Sequence, residues 1–199
     1  LLAVCDQLHR LRMASASALS MRVQSELREL GLPHAEFQIA VERQQSPTQH
    51  GDDMVEFRFS ANPGQPAQPL ASVGSGGELS RVMLALETVA VDVSSRTFVF
   101  DEVDAGVGGK AALEVGRRLA DLALGGQVIV VTHLAQVAAF ADRHIVVEKL
   151  VKDGSTLTTT RTLAADERPR ELTRLLSGVE DSASAMAHAV ELLDLARAS

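Results

Sequence analysis

Ser75-Gly76-Gly77-Glu78-Leu79-Ser80-Arg81 heads an apolar-periodic segment, and Thr97-Phe98-Val99-Phe100-Asp101-Glu102 follows it. Serine with glutamate three positions on is a capping box, so a helix is predicted to begin here with its free N–H groups pointing outward. Two glycines in its first turn leave that end bare of side chains, as a polyanion needs to reach backbone amides at the positive end of a helix dipole. A phosphate is the natural ligand. The second stretch is a β-branched and aromatic strand that runs into two carboxylates, the pattern of a buried parallel strand delivering charge to the carboxyl edge of its sheet. One carboxylate can hold a metal ion while the other handles a proton.

Beyond these residues, Ala105-Gly106-Val107-Gly108-Gly109 reads as a loop. A helix from about Lys110 to Leu124 follows, with Leu113, Gly116, Leu119 and Leu124 inward, and Gly125-Gly126 ends it. A second apolar strand, Gln127 to Val131, delivers Thr132 and His133, and a short helix runs from Leu134 to Ala141. Strand, helix, strand, helix argues a parallel α/β sheet with right-handed crossovers, whose ligand edge gathers Asp101, Glu102 and His133. The helix headed by Ser75 buries Leu79, Val82, Met83, Leu86 and Val93 by its spacing.

Residues 1–30 carry a helical pattern, Val4, Leu8 and Leu11 and then Val23, Leu27 and Leu30, and Gly31 and Pro33 stop it. It reads either as an amphipathic packing helix or as part of a coiled coil, and a long helix with no cap at residue 1 looks cut from something longer. Glu36 to Glu42 and Met54 to Ser60 alternate, with Phe37, Ile39 and Val41 on one face and Val55, Phe57 and Phe59 on another, so they form an antiparallel hairpin. Asp52 and Asp53 are assigned to its turn. The Pro-, Gly- and Gln-rich Ala61 to Gly74 reads as an exposed loop without regular structure. At the far end, a strand at 144–150, an Asp153-Gly154 turn and a Thr-rich return through Arg161 make a second hairpin. Two helices close the chain, one around Arg170 to Leu176 and one from Ser182 to about Ala196 with Met186, Val190 and Leu193 on a face.

Composition excludes several classes. With 199 residues and 46% apolar content the chain can bury a core, and no window approaches eighteen uninterrupted apolar residues. The N-terminus lacks the order of a signal peptide, so a cytoplasmic protein is the expectation. Cys5 is the single cysteine, which rules out an internal disulfide and a thiolate cluster. The six histidines, at 9, 34, 50, 133, 144 and 188, include no pair at zinc-ligand spacing. A formal charge of −7, with no Trp or Tyr, argues against a uniformly basic surface and against a single-strand stacking platform.

In this order the pieces resemble the second half of an ATP-binding-cassette ATPase. Ser75 to Arg81 is similar to the cassette signature, Thr97 to Glu102 to a Walker B strand with its following glutamate, Val103 to Gly109 to the D-loop region, and Val131-Thr132-His133 to the switch histidine. Within that superfamily, Ser-Gly-Gly-Glu-Leu-Ser-Arg, Asp-Glu-Val-Asp-Ala-Gly-Val-Gly-Gly and Thr-His-Leu-Ala-Gln-Val-Ala most resemble the RecN family, bacterial SMC-like proteins of double-strand-break repair. Gly74, where transporters usually carry leucine, and Glu78 in place of glutamine turn the resemblance away from transporters. The resemblance implies an α/β fold, the C-terminal half of an ABC/SMC-type head. It would have a largely parallel sheet flanked by helices and an antiparallel hairpin, with 1–31 as the end of a coiled-coil arm and 32–199 as the lobe. It implies ATP and Mg²⁺ as cofactors, with Asp101 holding the metal, Glu102 polarising the attacking water and His133 sensing the γ-phosphate. Ser75, Gly76, Gly77 and Glu78 would serve the nucleotide of a second head, and Asp104 would lie at the dimer seam. No Gly-x-x-x-x-Gly-Lys-Ser/Thr is present, since Gly109-Lys110 is followed by Ala111. The implied partners are therefore a separate Walker A half, a second head, and DNA through a full-length protein associated with the nucleoid, with no membrane.

Each motif taken alone has a plainer reading: a capped helix, a charged strand end, a satisfied histidine. Arg10, Arg12, Arg22 and Arg28 fit a solvated helix face better than a DNA contact. Three further readings stay open. Gly106-Val107-Gly108-Gly109-Lys110-Ala111 fits a dinucleotide-binding Gly-x-Gly-x-x-Ala, although the next strand ends in Thr132-His133 without the acidic residue for a ribose. The chain could also be a non-catalytic coiled-coil dimerisation module, or the ATPase of a transporter.

Overall fold

The apolar spacing over the first thirty residues builds one long helix. The computed structural model describes residues 1–90, 96–152, 155–179 and 181–198, and places this helix as α1 (Leu2–Glu29). Val23, Leu27 and the following Leu30 join the main core and Cys5 is buried in the first half, whereas Leu1, Leu2, Val4 and Leu11 are exposed. Gly31 takes φ +80° and Leu32 N–H reaches back to the Leu27 carbonyl at 2.9 Å, a left-handed stop that a residue without a side chain permits.

β1 (Glu36–Thr48) and β2 (Gly51–Ser60) pair antiparallel, with Phe37 opposite Phe59, Ile39 opposite Phe57 and Val41 opposite Val55. Phe37 and Phe59 enter the core, but Val55 and Phe57 remain exposed, so the inward face is narrower than the alternation predicts. The strands also run further than predicted, to Thr48 and Gly51, with a break in register after Arg43. Asp52 and Asp53 are therefore strand residues rather than turn residues. Asp53 sits 2.6 Å from His9 Nδ1 and 3.1 Å from Arg12 Nη1 on α1, and Asp52 accepts from Arg43. Opposite charges on the adjoining helix hold this end of the hairpin as strand. The predicted loop 61–74 is likewise part-ordered: β3 (Gln68–Pro69) pairs with β2, and a 3₁₀ turn covers Leu70–Ser72.

α2 (Gly76–Ala90) buries Val82, Leu84, Ala85, Leu86 and Val89, while Met83 turns partly outward; Val93 lies outside the described residues. β4 (Thr97–Phe100) and β5 (Gln127–Val130) run parallel, joined by α3 (Gly109–Ala123), which buries Ala112, Val115, Gly116, Leu119 and Leu122. Leu124, predicted inward, is 88% exposed because the helix has ended one residue before it. The parallel sheet is two strands wide among the described residues, and antiparallel pairs make up the rest. Phe100 faces the core, and Val99, Ile129 and Val131 are exposed. One face of this sheet is thus uncovered.

α4 (Ala135–Ala138) packs so close to α3 that a Cβ on Gly116 would lie 2.5 Å from Phe140 Cδ2. β6 (Ile145–Lys152) and β7 (Ser155–Thr162) form the expected hairpin, whose Asp153-Gly154 turn lies outside the described residues. α5 (Arg168–Ser177) ends at Gly178, and α6 (Ala183–Arg197) starts from Ser182, whose hydroxyl accepts from Ala185 N–H at 3.4 Å. Ala189, Leu192 and Leu193 are its buried positions, joined with Leu172 and α4 in a small second core, whereas Val190 is exposed. Among the described residues no helix is long and apolar enough to cross a membrane.

Candidate functional site

β4 and β5 are in step, Phe100 opposite Val130, so both strands deliver their following residues to one edge. There Asp101, Glu102, Asp104, Thr132 and His133 line an open hollow of about 410 Å³. The three residues predicted to gather do so. Glu102 has φ +56°, the one non-glycine left-handed residue among those described, a conformation that side chains disfavour. The chain turns there, and the Glu102 carboxylate lies against the tip of α2: a Cβ on Gly76 would fall 2.5 Å from its Oε2.

Ser75 and Gly76 are exposed at that tip, and Glu78 N–H donates to Ser75 Oγ at 3.4 Å, so the Ser75 half of the capping box is formed. Gly77 is different. It is buried, and a Cβ there would meet Ala105 Cβ at 2.7 Å and the Glu102 carbonyl at 3.0 Å. Its lack of a side chain therefore serves the packing of the helix on its own acidic loop. Only Ser75 and Gly76 are left open for an anion to approach.

Asp104, expected at the dimer seam, lines this hollow and is 2% exposed. Its Oδ2 accepts from the Thr132 hydroxyl at 2.5 Å and from His133 N–H at 3.1 Å, and lies 3.2 Å from His133 Nδ1. The Asp104 carboxylate thus accepts two hydrogen bonds from the segment that follows β5, both on Oδ2. What it does is set the strand end that bears His133. That side chain is 74% exposed and lines the hollow, with Nδ1 toward Asp104.

Two residues that motif reading passed over complete the site. Ser80 Oγ donates to the Asp101 carbonyl at 2.7 Å, and Arg81 Nη1 donates to the carbonyls of Val103 at 3.3 Å and Ala105 at 2.7 Å. Each stands four positions after a signature glycine, hence on the same helix face, and that spacing was the available signal. Burial lowers the Arg81 pKa, opposed by the charges of Glu78 and Asp104.

As for metal, no group of three or more His, Cys, Asp or Glu side chains gathers into a cage among the described residues. Mg²⁺ does not need one, since it takes most of its oxygens from phosphate and water and one or two from carboxylates. The exposed Asp101 at a strand end fits that demand.

The chain is 50% identical to the DNA repair protein RecN of Streptomyces coelicolor over 94% of its own length, and 49% identical to RecN of Deinococcus radiodurans over 97%. The chain belongs to the RecN family. It spans about a third of each relative's length, 35% and 34% respectively. No protein-family model matches it. Among solved structures it resembles the Smc head domain of Pyrococcus furiosus with an extended coiled coil, which was solved bound to the C-terminal domain of ScpA. The TM-score is 0.53 and the identity 18%, over 86% of this chain and 41% of that one. The Smc head of Pyrococcus yayanosii with a coiled coil and joint gives 0.50 and 17%, over 93% and 30%. The α/β fold of this RecN-family chain is that of an SMC head lobe, with a long N-terminal helix, a hairpin layer and a short parallel sheet.

Proposed function

We propose that the chain is the C-terminal lobe of a RecN head that binds and hydrolyses ATP between two heads and acts, within a full-length protein, in DNA double-strand-break repair at the nucleoid. The observation that carries this reading is the gathering of Asp101, Glu102 and His133 around one hollow beside an exposed, glycine-bare helix tip. The Walker A residues would come from a separate half of the head, and the uncovered face of β4 and β5 is apolar enough to receive it.

Bound Mg²⁺–ATP would supply the γ-phosphoryl group and the neutralisation of its charge, with Asp101 as the carboxylate that holds the ion. Glu102 takes the proton of the attacking water on its carboxylate, and its place at the strand end leaves it free to turn toward the hollow. His133 contacts the γ-phosphate through Nε2 while Asp104 fixes the ring by Nδ1. In this reading Asp104 acts as a positioning residue for His133, beside the seam at which the second head would dock. Ser75 and Gly76 offer hydroxyl and backbone amides to the nucleotide held by the second head. Gly77 and Glu78 shape the first turn that carries them, so hydrolysis depends on association.

The test pairs this chain with a RecN Walker A half and measures turnover. ATP hydrolysis is expected only in the pair, and Glu102→Gln should lower kcat by about a hundredfold or more while ATP-dependent dimerisation persists. Turnover unaffected by Glu102→Gln would reassign the chain as a non-catalytic module. The dinucleotide reading has a loop in the right place, Gly106 to Ala111 running from after β4 into the start of α3, but β5 is followed by Val131-Thr132-His133 and brings no carboxylate for a ribose.

A further inference from the structure

Arg81 is 5% exposed and among the described residues makes no ion pair; its Nε is buried without a hydrogen-bond partner. A guanidinium kept in this way is a poor source of stability, because desolvation is not repaid by a close carboxylate. What it provides is geometry. Its Nη1 holds the carbonyls of Val103 and Ala105, and the neighbouring Ser80 Oγ holds the carbonyl of Asp101. Every second carbonyl from 101 to 105 is thereby attached to one helix, α2. One turn above, Gly76 and Gly77 press the same face against Glu102 and Ala105, with no room for a side chain. The loop so held carries the metal carboxylate, the left-handed Glu102 and the carboxylate that sets His133.

We propose that Ser80 and Arg81 are positioning residues that lock the acidic loop 101–105 to the signature helix. The helix tip that meets the second head's nucleotide and the carboxylates that act on this head's nucleotide then move as one body. Docking at one nucleotide sets the geometry at the other, and neither Ser80 nor Arg81 touches either. The inference rests on the ATPase reading above, and its test separates the two.

In a head assembled from this chain and a Walker A half, kcat, KM for ATP, melting temperature and amide exchange at 101–105 are measured for wild type, Arg81→Met, Arg81→Lys, Ser80→Ala and Glu102→Gln. Arg81→Met is expected to lower kcat about tenfold or more, with KM within about twofold, and to speed exchange at 101–105 at temperatures well below melting. Arg81→Lys, which restores one donor, should fall between the two. Wild-type kcat and unchanged exchange in Arg81→Met overturn the inference while leaving the ATPase reading intact. If Arg81→Met does not fold, Ser80→Ala decides: a fall in kcat of about threefold with faster exchange supports the lock, and wild-type values for both overturn it. If wild type itself shows no turnover, or Glu102→Gln makes no difference, the ATPase reading fails, and exchange at 101–105 alone still decides whether Arg81 orders the loop.

Discussion

Asp104 shows how much one buried carboxylate can organise. Asp104→Ala removes the acceptor for the Thr132 hydroxyl and the His133 N–H at once. Buried donors left unpaired cost about 1–3 kcal/mol, so the urea midpoint should fall with an unchanged slope. Turnover of the assembled head should drop by about tenfold to a hundredfold as His133 loses its orientation, and Asp104→Asn, which keeps one acceptor oxygen, should lie between. A stable Asp104→Ala variant with wild-type kcat would mean that His133 is not oriented from below. Asp101, Glu102 and His133 are legible in the sequence because chemistry-bearing side chains stand where apolar strands stop. The inward turn of Asp104 is not, since no pattern of neighbours marks which of three acidic residues in a row of four is buried. Gly77 is a similar case: its place in a phosphate motif hides the contact with Ala105 that also requires it.

At the scale of elements, joints between distant segments carry the information that periodicity lacks. The hairpin is tied to α1 through Asp53, forty-four residues from His9 and forty-one from Arg12. Burial works to raise the Asp53 carboxyl, but hydrogen bonds and charge from His9 and Arg12 outweigh it and hold it below the usual carboxylate value. A carboxyl depressed in the folded state stabilises above its ordinary 3.8, and loses that contribution as pH falls through the lower folded value. The melting temperature of wild type should therefore fall more steeply than that of Asp53→Asn below about pH 4, and parallel curves would remove this pair from the joint. The α3–α4 contact makes a second prediction. Gly116→Ala brings a Cβ into the Phe140 ring, with the Gln136 carbonyl 3.1 Å away, and overpacking of this kind costs about 1–3 kcal/mol. Phe140→Leu in the same chain should recover part of the loss in a double-mutant cycle. Helices and strands themselves follow from the 3.6 and 2.0 periods, yet those periods put Val55, Val190 and Leu124 on the packing face and all three are exposed. Period assigns a face; only the neighbouring element decides whether that face is covered.

On the scale of the whole molecule, the parallel sheet stands out: among the described residues it is two strands wide and one of its faces is exposed. Parallel sheets are ordinarily covered on both faces. Here Phe98, Phe100, Val128 and Val130 pack into the core while Val99, 67% exposed, stands with Ile129 and Val131 on the open side. The exposed end of α1 at Val4 and Leu11 is a second apolar surface without cover. Under the proposed reading the first is the surface for a Walker A half and the second the surface for another helix. Binding of the Walker A half to the folded state alone must raise the melting temperature with concentration, by about 2.7 kcal/mol of added stability at a hundred times the dissociation constant. Val99→Lys puts a charge in the middle of the open face. In the isolated chain an exposed substitution of this kind is expected to change stability by less than about 0.5 kcal/mol, whereas in the mixture it should abolish the rise and the ATP turnover together. If Val99→Lys still gains stability and turnover from the Walker A half as wild type does, the two halves meet elsewhere, and the exposed face of β4 and β5 has some other cover.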